Sequence, residues 1–121
     1  MKISVITWDA SFRESFHTID SFGKQNFEKF NYEFIWSEFY NNQNKILKSK
    51  IDLYSNFSFV NMNNSIDKKW HLGKTINHGI KHAKGDILII PDGDVIVNDN
   101  FLNQIIEIFK NSCDELACYF R

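Results

Sequence analysis

Short apolar runs alternate with amphipathic segments along the whole chain. Runs rich in β-branched and aromatic residues predict buried strands, and apolar residues spaced three and four apart predict helices. The predicted strands are residues 3–8, 32–36, 57–61, 87–90 and 116–120. The predicted helices lie within residues 11–23, 42–54, 72–83 and 101–109. This strict alternation predicts an α/β fold, a three-layer sandwich with a mainly parallel central sheet and right-handed crossovers.

Local residue chemistry sets the expected ends of two helices. Ser11 and Glu14 stand three residues apart before an apolar stripe, and this spacing predicts a capping box at the start of the first helix. Gly23 and Gly85 predict the ends of the first and third helices. The side of the third helix expected to be apolar carries Leu72, Ile76, Ile80 and Ala83. Because residues 87–90 are apolar on both faces, this strand is expected to be among the most buried.

Composition narrows the class of protein. A length of 121 residues and a hydrophobic share of 43% indicate a single domain, residues 1–121, with a modest core. The 14 basic and 15 acidic residues give a net charge of −1, which argues against a general nucleic-acid binder. Cys113 and Cys118 have neither metal-motif spacing nor disulfide density, so reduced thiols are expected. No stretch has the length of a membrane span or of a signal-peptide core, so a cytoplasmic location is expected, with peripheral membrane attachment left open.

The segment Asp92-Gly93-Asp94 carries the most informative chemistry. It directly follows the apolar run 87–90, and ligands of open α/β sheets bind beyond the carboxyl ends of strands. Gly93 permits close approach of a ligand or an unusual backbone angle. Paired carboxylates suit a hard divalent cation, which in turn suits a diphosphate. The alternative is an ordinary solvated Asp-Gly turn, whereas the spacing of an EF-hand loop is absent.

Four segments in order resemble the N-terminal, nucleotide-binding half of a family 2 glycosyltransferase with the Rossmann-like GT-A fold. Residues 3–9 resemble the opening strand and its donor-binding turn, and residues 34–38 resemble the second strand with its terminal acid. Residues 73–85 resemble the asparagine-glycine helix with its alanine-glycine ending, and residues 92–94 resemble the DxD motif. The resemblance spans essentially the whole chain. Its departures are Ile76 in place of an arginine, Glu38 in place of the commoner aspartate, and an end near the strand after the DxD motif.

The resemblance implies roles for the acids at the strand ends. Asp94 would ligate a divalent cation, Mn²⁺ or Mg²⁺, and Asp92 would contact the ribose or a water bound to the same cation. The cation would neutralise the diphosphate leaving group. Glu38 would accept a hydrogen bond from the imide of a pyrimidine base, and its alternative is an ordinary acid at a strand end.

The remaining candidates have weaker signals. Thr7 and Trp8 could line the base pocket, although Trp8 could equally be core. Asp9 either faces the nucleotide or caps the following helix. Lys74 lies near a helix start, where cationic and backbone groups meet phosphate, and Asn77 either orders the donor loop or caps locally. A histidine stripe on the same helix includes His78 and His82 at zinc-ligand spacing, but no third ligand is indicated and a solvated helix face is favoured. The candidates on the third helix are thus Lys74, Asn77, His78 and His82.

Two functions compete. The first is a glycosyltransferase, or its donor-binding portion, that transfers a sugar from a nucleotide-diphosphate sugar to an unknown acceptor. The second is a non-catalytic nucleotide-sugar-binding or regulatory module that keeps the fold without the acceptor-binding half. A nucleotidyltransferase is disfavoured because residues 7–11 lack a glycine-rich loop. No catalytic base is identified in the chain, and an uncovered apolar patch around residues 70–72 leaves self-association open.

Overall fold

The computed structural model describes residues 1–112 and forms a parallel α/β sandwich. The four strands are β1 (Ile3–Asp9), β2 (Tyr32–Tyr40), β3 (Phe57–Asn64) and β4 (Ile87–Ile89). The helices are α1 (His17–Gly23), α2 (Lys45–Asp52), α3 (Leu72–His82) and α4 (Phe101–Lys110), and a 3-10 turn covers Lys29–Asn31. The sheet order is β3-β2-β1-β4, and all three strand pairs are parallel. The predicted fold class is therefore confirmed, while the predicted strand 116–120 and both cysteines lie outside the described residues.

One face of the sheet carries the main core. Side chains alternate across a strand, so β1 presents Ile3 and Val5 to this face, where the register sets Val5 beside Phe34 of β2. The helices α1, α2 and α4 cover the same face with apolar side chains. The largest fully buried side chain is Trp36, whose ring packs edge-on against Phe16. This layer gives the carboxyl ends of β1 and β2 a rigid support.

The opposite face is covered by α3, which approaches the sheet through small residues. Thr75 and Gly79 are the buried residues of this helix. A Cβ atom on Gly79 would lie 2.5 Å from Cγ2 of Ile6, so the close approach depends on glycine. The prediction that Leu72 lies on the core side is wrong: Leu72 is 43% exposed. The physical reason is that the helix turns its side with the small residues Thr75 and Gly79 toward the sheet. The Thr75 carbonyl oxygen then lies close enough to accept a hydrogen bond from Ser37 Oγ at 2.7 Å.

The capping box predicted at Ser11 does not form. Helix α1 begins at His17, and its N-cap position is Phe16. Ser11 instead has a left-handed backbone with φ of 60°, and its hydroxyl donates to Glu38 Oε1 at 2.8 Å. The hydroxyl is therefore engaged by a side chain from another strand, and residues 10–16 form a loop over the carboxyl end of β1. The predicted helix end at Gly23 is confirmed.

Strand β4 is less buried than its sequence predicts. Within residues 1–112 it pairs only with β1 and so lies at an edge of the sheet. Ile87 is buried, but Leu88 is 43% exposed and Ile90, just past the strand, is 45% exposed. The reason is that α3 packs mainly on β1 and β2 and leaves this face of β4 uncovered. No helix in the described part of the chain is both long and apolar enough to cross a membrane.

Candidate functional site

The carboxyl ends of β1, β2 and β4 bring the predicted acids to one edge of the sheet. Asp9 ends β1 and lies directly beside Glu38 of β2 in the strand register. The segment after β4 is tied to β1, because the buried Thr7 hydroxyl donates to the carbonyl oxygen of Pro91 at 3.2 Å. Asp92 therefore directly follows Pro91, which this hydrogen bond holds against β1. The parallel sheet explains this convergence, since the carboxyl ends of its strands share one edge.

Asp9 is a fully buried carboxyl group with one oxygen left over. Its Oδ1 accepts hydrogen bonds from the backbone N–H groups of Ala10 at 2.8 Å and Phe12 at 3.3 Å. Its Oδ2 is buried and has no hydrogen-bond partner among residues 1–112. Burial, together with the nearby carboxylate of Glu38, raises the pKa of Asp9 from its ordinary value of 3.8 to about 6. Asp9 therefore caps the following loop and not helix α1, which begins only at His17, and its second oxygen keeps no partner among residues 1–112.

We expect Asp9→Asn to stabilise the protein above pH 6. The pKa of Asp9 is higher in the folded chain than in the unfolded chain, so the folded state holds its proton longer. The stability of the parent protein therefore falls as the pH rises from about 4 to about 6, and the penalty persists above that range. At about 1.4 kcal/mol per pKa unit, the variant should gain on the order of 3 kcal/mol at pH 7.5. Urea unfolding between pH 4 and pH 8 measures the difference.

The matched control for this experiment is Asp52→Asn, which changes an exposed acid at the end of α2. Its stability should run parallel to that of the parent at every pH. The stability difference between Asp9→Asn and the parent should instead grow through the range from pH 4 to pH 6. If that difference stayed constant with pH, the Asp9 carboxyl would not titrate as the buried geometry requires.

Glu38 is also fully buried, and both of its oxygens are already occupied. Oε1 accepts from Ser11 Oγ at 2.8 Å, and Oε2 accepts from Asn42 Nδ2 at 3.1 Å and Trp36 Nε1 at 3.3 Å. The side chain is 0% exposed. A nucleobase that used this acid would have to exchange at least one of these bonds. The donor most easily exchanged is Ser11, because it lies in the loop over the site.

Arg13 is the site residue that sequence reasoning missed. Its guanidinium lies 3.9 Å from Asp9 Oδ1 and 3.7 Å from Asp94 Oδ2, so it bridges the ends of β1 and of the segment after β4. The guanidinium carbon also sits 4.9 Å from the ring centre of Trp8 and 5.0 Å from that of Phe12. One feature of the sequence could have revealed it: Arg13 is a cation four residues after Asp9, the acid that ends β1. The incorrect capping box placed this arginine on a helix and concealed it.

The Asp92-Gly93-Asp94 turn exposes its two carboxylates and buries its glycine. The Asp94 side chain is 77% exposed, Asp92 is exposed, and the Asp92 carbonyl oxygen accepts a hydrogen bond from Val95 N at 3.4 Å. Within the described chain, no three His, Cys, Asp or Glu side chains converge as a complete metal site. The donor set still fits Mg²⁺ or Mn²⁺, because such ions keep several waters and bind through one or two carboxylates plus substrate phosphates. Asp92 and Asp94 would supply those carboxylates.

Aromatic side chains form one wall beside the acids. The half-buried Trp8 ring stacks on Trp70 with centroids 5.8 Å apart, and Trp70 packs edge-on against Phe39 at 5.3 Å. Trp70 is thus partly covered, although the region around it was expected to be exposed. These contacts hold the start of α3 near the end of β1.

The start of α3 carries two of the predicted polar residues. Lys74 and Asn77 are both exposed on this helix. The His71 ring accepts a hydrogen bond from Lys74 N at 3.1 Å, so His71 caps the helix. His78 and His82 pack against each other with ring centroids 4.9 Å apart. Within the described residues no third metal ligand lies near these two histidines, so the structure gives no support for a zinc site there.

An open depression of about 820 Å³ lies at the other end of the sheet, lined by residues 25–31, 55–56 and 103. It begins where β2 and β3 begin, and none of the predicted site residues lines it. The lining of this depression includes neither the paired acids nor the arginine. The candidate site is therefore assigned by converging side chains and not by the size of a cavity.

Comparison with known proteins decides the family. Residues 18–121 match the family described as glycosyl transferase family 2. The chain belongs to this family. The resemblance drawn from the four sequence segments is thereby confirmed. No curated protein sequence is significantly similar to the chain.

Solved structures of S. aureus TarS have the same fold. TarS 1-349 superimposes with a TM-score of 0.73 at 24% identity, covering 91% of this chain and 32% of that one. Its complex with UDP gives a TM-score of 0.74 at 23% identity, with the same coverage. Its complex with UDP-GlcNAc gives 0.71 at 23% identity, covering 91% of this chain and 31% of the other. The chain thus spans about a third of the length of these neighbours.

Proposed function

We propose that this chain is the donor-binding portion of a glycosyltransferase that uses a nucleotide-diphosphate sugar. The observation that carries the proposal is the convergence of acids at the carboxyl edge of the sheet in a member of glycosyl transferase family 2. The UDP and UDP-GlcNAc complexes of TarS support a uridine nucleotide as the first donor to test.

In this proposal the donor lies across the carboxyl edge of the sheet. The half-buried Trp8 ring, already stacked on Trp70 and contacted by Arg13, would form part of the wall of the base pocket. Asp9 and Glu38 are the acceptors nearest the base, while Thr7 holds the segment that precedes the paired acids. Lys74 and Asn77, on the first turns of α3, face the phosphates. Gly93 lets the turn lie against the Arg13 side chain, beside the expected position of the diphosphate.

A divalent cation is part of the proposal. Asp92 and Asp94 would hold Mn²⁺ or Mg²⁺, and the bound cation would offset the negative charge of the diphosphate as the sugar departs. The four acids around the site carry like charge, so a diphosphate approaching them without a cation would be repelled. Metal dependence of nucleotide binding follows directly from this charge balance.

We expect UDP to bind the chain in the presence of Mn²⁺ and to bind at least about tenfold more weakly in the presence of a chelator, a difference of about 1.4 kcal/mol. Isothermal titration calorimetry with UDP and GDP, each with and without manganese, measures this directly. GDP reports on the base pocket, because its base presents a different hydrogen-bonding edge. Equal UDP affinity in manganese and in chelator would remove the metal from the proposal. No UDP or GDP binding under either condition would overturn the donor site itself.

A non-catalytic nucleotide-sugar-binding or regulatory module is the second candidate. It is favoured by one observation: Glu38 and Asp94 both have partners within the chain, as in a site that has taken on a structural role. The two candidates differ in turnover. Slow hydrolysis of UDP-sugar to UDP by a preparation that binds it would favour the transferase, and tight binding without any release of UDP would favour the module.

A further inference from the structure

The position of Arg13 is unusual for an arginine at a protein surface. Its side chain is only 9% exposed, lying against the rings of Trp8 and Phe12. A desolvated guanidinium is costly unless its N–H groups have hydrogen-bond acceptors. The stability of this arrangement therefore depends on the acceptors near Arg13.

The acceptors within the described chain are few and distant. The only hydrogen bond that Arg13 makes among residues 1–112 runs from Nε to the Trp8 carbonyl oxygen, at 3.5 Å. Its carboxylate neighbours, Asp9 and Asp94, lie at 3.9 and 3.7 Å, whereas a charge-assisted hydrogen bond measures about 2.7–2.9 Å. Most of the five N–H groups of the guanidinium are thus held near the acids without being hydrogen-bonded to the described residues. The guanidinium is therefore oriented by the two acids, and its unpaired N–H groups are not fully buried, so they remain accessible to a ligand.

The turn between the paired acids is shaped to admit this guanidinium. A Cβ atom on Gly93 would lie 2.9 Å from Arg13 Cδ and 3.0 Å from Arg13 Cζ. Glycine at this position therefore lets the arginine lie across the turn. Asp94, the proposed cation ligand, is the acid that Arg13 contacts beyond its own loop.

We propose that Arg13 is a diphosphate-binding residue of the donor site, an inference that rests on the proposed function. Before the donor binds, Asp94 and Asp9 hold the guanidinium over Gly93. Asp94 would be neutralised when it holds a divalent cation, and Arg13 would then be released from this acid. The guanidinium then presents its unsaturated N–H groups to the phosphate oxygens, whose spacing suits a bidentate contact. Arg13 would thus contact the same diphosphate as a cation held by Asp94.

The test is calorimetry on the full chain in excess Mn²⁺, with UDP, uridine and inorganic pyrophosphate as ligands. Arg13→Met keeps the length and apolar body of the side chain and removes its charge. We expect this variant to bind UDP and pyrophosphate roughly tenfold or more weakly, and uridine within about twofold of the parent. The affinity of Arg13→Lys for UDP and pyrophosphate should lie between those of the parent and Arg13→Met, because an ammonium point charge replaces a bidentate guanidinium. Lys24→Met, an exposed cation just past α1, is the matched control and should match the parent for all three ligands.

Two results would overturn the inference while the donor site stands. One is UDP binding by Arg13→Met that equals the parent's. The other is an equal loss for UDP and uridine, which would mean that Arg13 only shapes the pocket. Conversely, Arg13-dependent binding of pyrophosphate without any UDP binding would uphold this inference and overturn the proposed function. A parent chain that binds none of the three ligands would overturn both. If thermal unfolding shows that Arg13→Met does not fold, Arg13→Lys carries the comparison with the same expected order of ligands.

Discussion

Asp94→Ala is expected to make UDP binding nearly independent of manganese. In the parent, the cation should bind at Asp94 and there offset the charge of the diphosphate. Removing this carboxylate should weaken UDP binding in manganese by the parent's whole manganese effect, roughly tenfold or more, which corresponds to at least about 1.4 kcal/mol. In chelator the variant should bind UDP no worse than the parent, because the Arg13 guanidinium loses the acid that holds it at 3.7 Å. The ratio of the two dissociation constants, with and without manganese, is the quantity to measure.

The neighbouring acid provides the comparison that makes this prediction specific. Asp92→Ala removes a carboxylate that is also exposed but that Arg13 does not contact within residues 1–112. It should reduce the manganese dependence less than Asp94→Ala does, because its expected contact is with the ribose or a metal-bound water. Asp52→Ala, at the far end of α2, should leave the dependence unchanged. If all three variants kept the parent's ratio, the segment around Gly93 would be a solvated turn and nothing more.

Sequence periodicity predicted the parts of the fold that depend on local burial. The apolar run from Ile3, rich in β-branched residues, predicted β1 to within one residue of its observed end at Asp9, because such a short run favours a buried strand. The same logic predicted that Asp9, Glu38 and the paired acids would share an edge, since the strands that carry them are parallel. Those predictions needed no knowledge of which side chains touch.

The predictions that failed depended on contacts between distant residues. A Ser-x-x-Glu spacing fits a helix cap or a loop equally well, and the hydroxyl bond from Ser11 to Glu38 selects the loop. The contact of Arg13 with Asp94 likewise joins residues far apart in the chain. The burial of β4 failed for a related reason, since it depends on which strands α3 covers. Local pattern cannot supply these pairings, because each is set by tertiary packing.

Gly85→Ala is expected to destabilise the fold by about 3 kcal/mol, even though alanine is only one methyl group larger. A Cβ atom on Gly85 would lie 2.5 Å from the Ser4 backbone nitrogen and 2.8 Å from the Ile3 carbonyl carbon. Both are backbone atoms of a fully buried central strand, so neither can rotate away as a flexible side chain would. The connection between α3 and β4 would have to move outward, and β4 carries the paired acids behind it.

The same displacement would break a hydrogen-bond network at the amino-terminal ends of β1 and β2. Gly85 N donates to Ser4 Oγ at 2.8 Å, and Ser4 Oγ donates to Glu33 Oε1 at 2.6 Å. Glu33 Oε1 also accepts from Lys84 N at 2.6 Å. This network joins the residues before β4 to both central strands. Its loss adds to the steric cost, because buried polar atoms would be left without partners.

Gly73→Ala is the matched control, because its added Cβ would meet nothing closer than the His71 ring at 3.4 Å. Gly73 lies within α3, where alanine is favoured over glycine by about 0.5–1 kcal/mol, so this variant should be as stable as the parent or slightly more stable. Urea unfolding of both variants at one pH measures the contrast. The expected loss for Gly85→Ala corresponds to a fall in melting temperature of roughly 10 °C or more. Equal stability of the two variants would show that the α3–β4 connection relaxes freely, and that β1 does not fix the position of the paired acids.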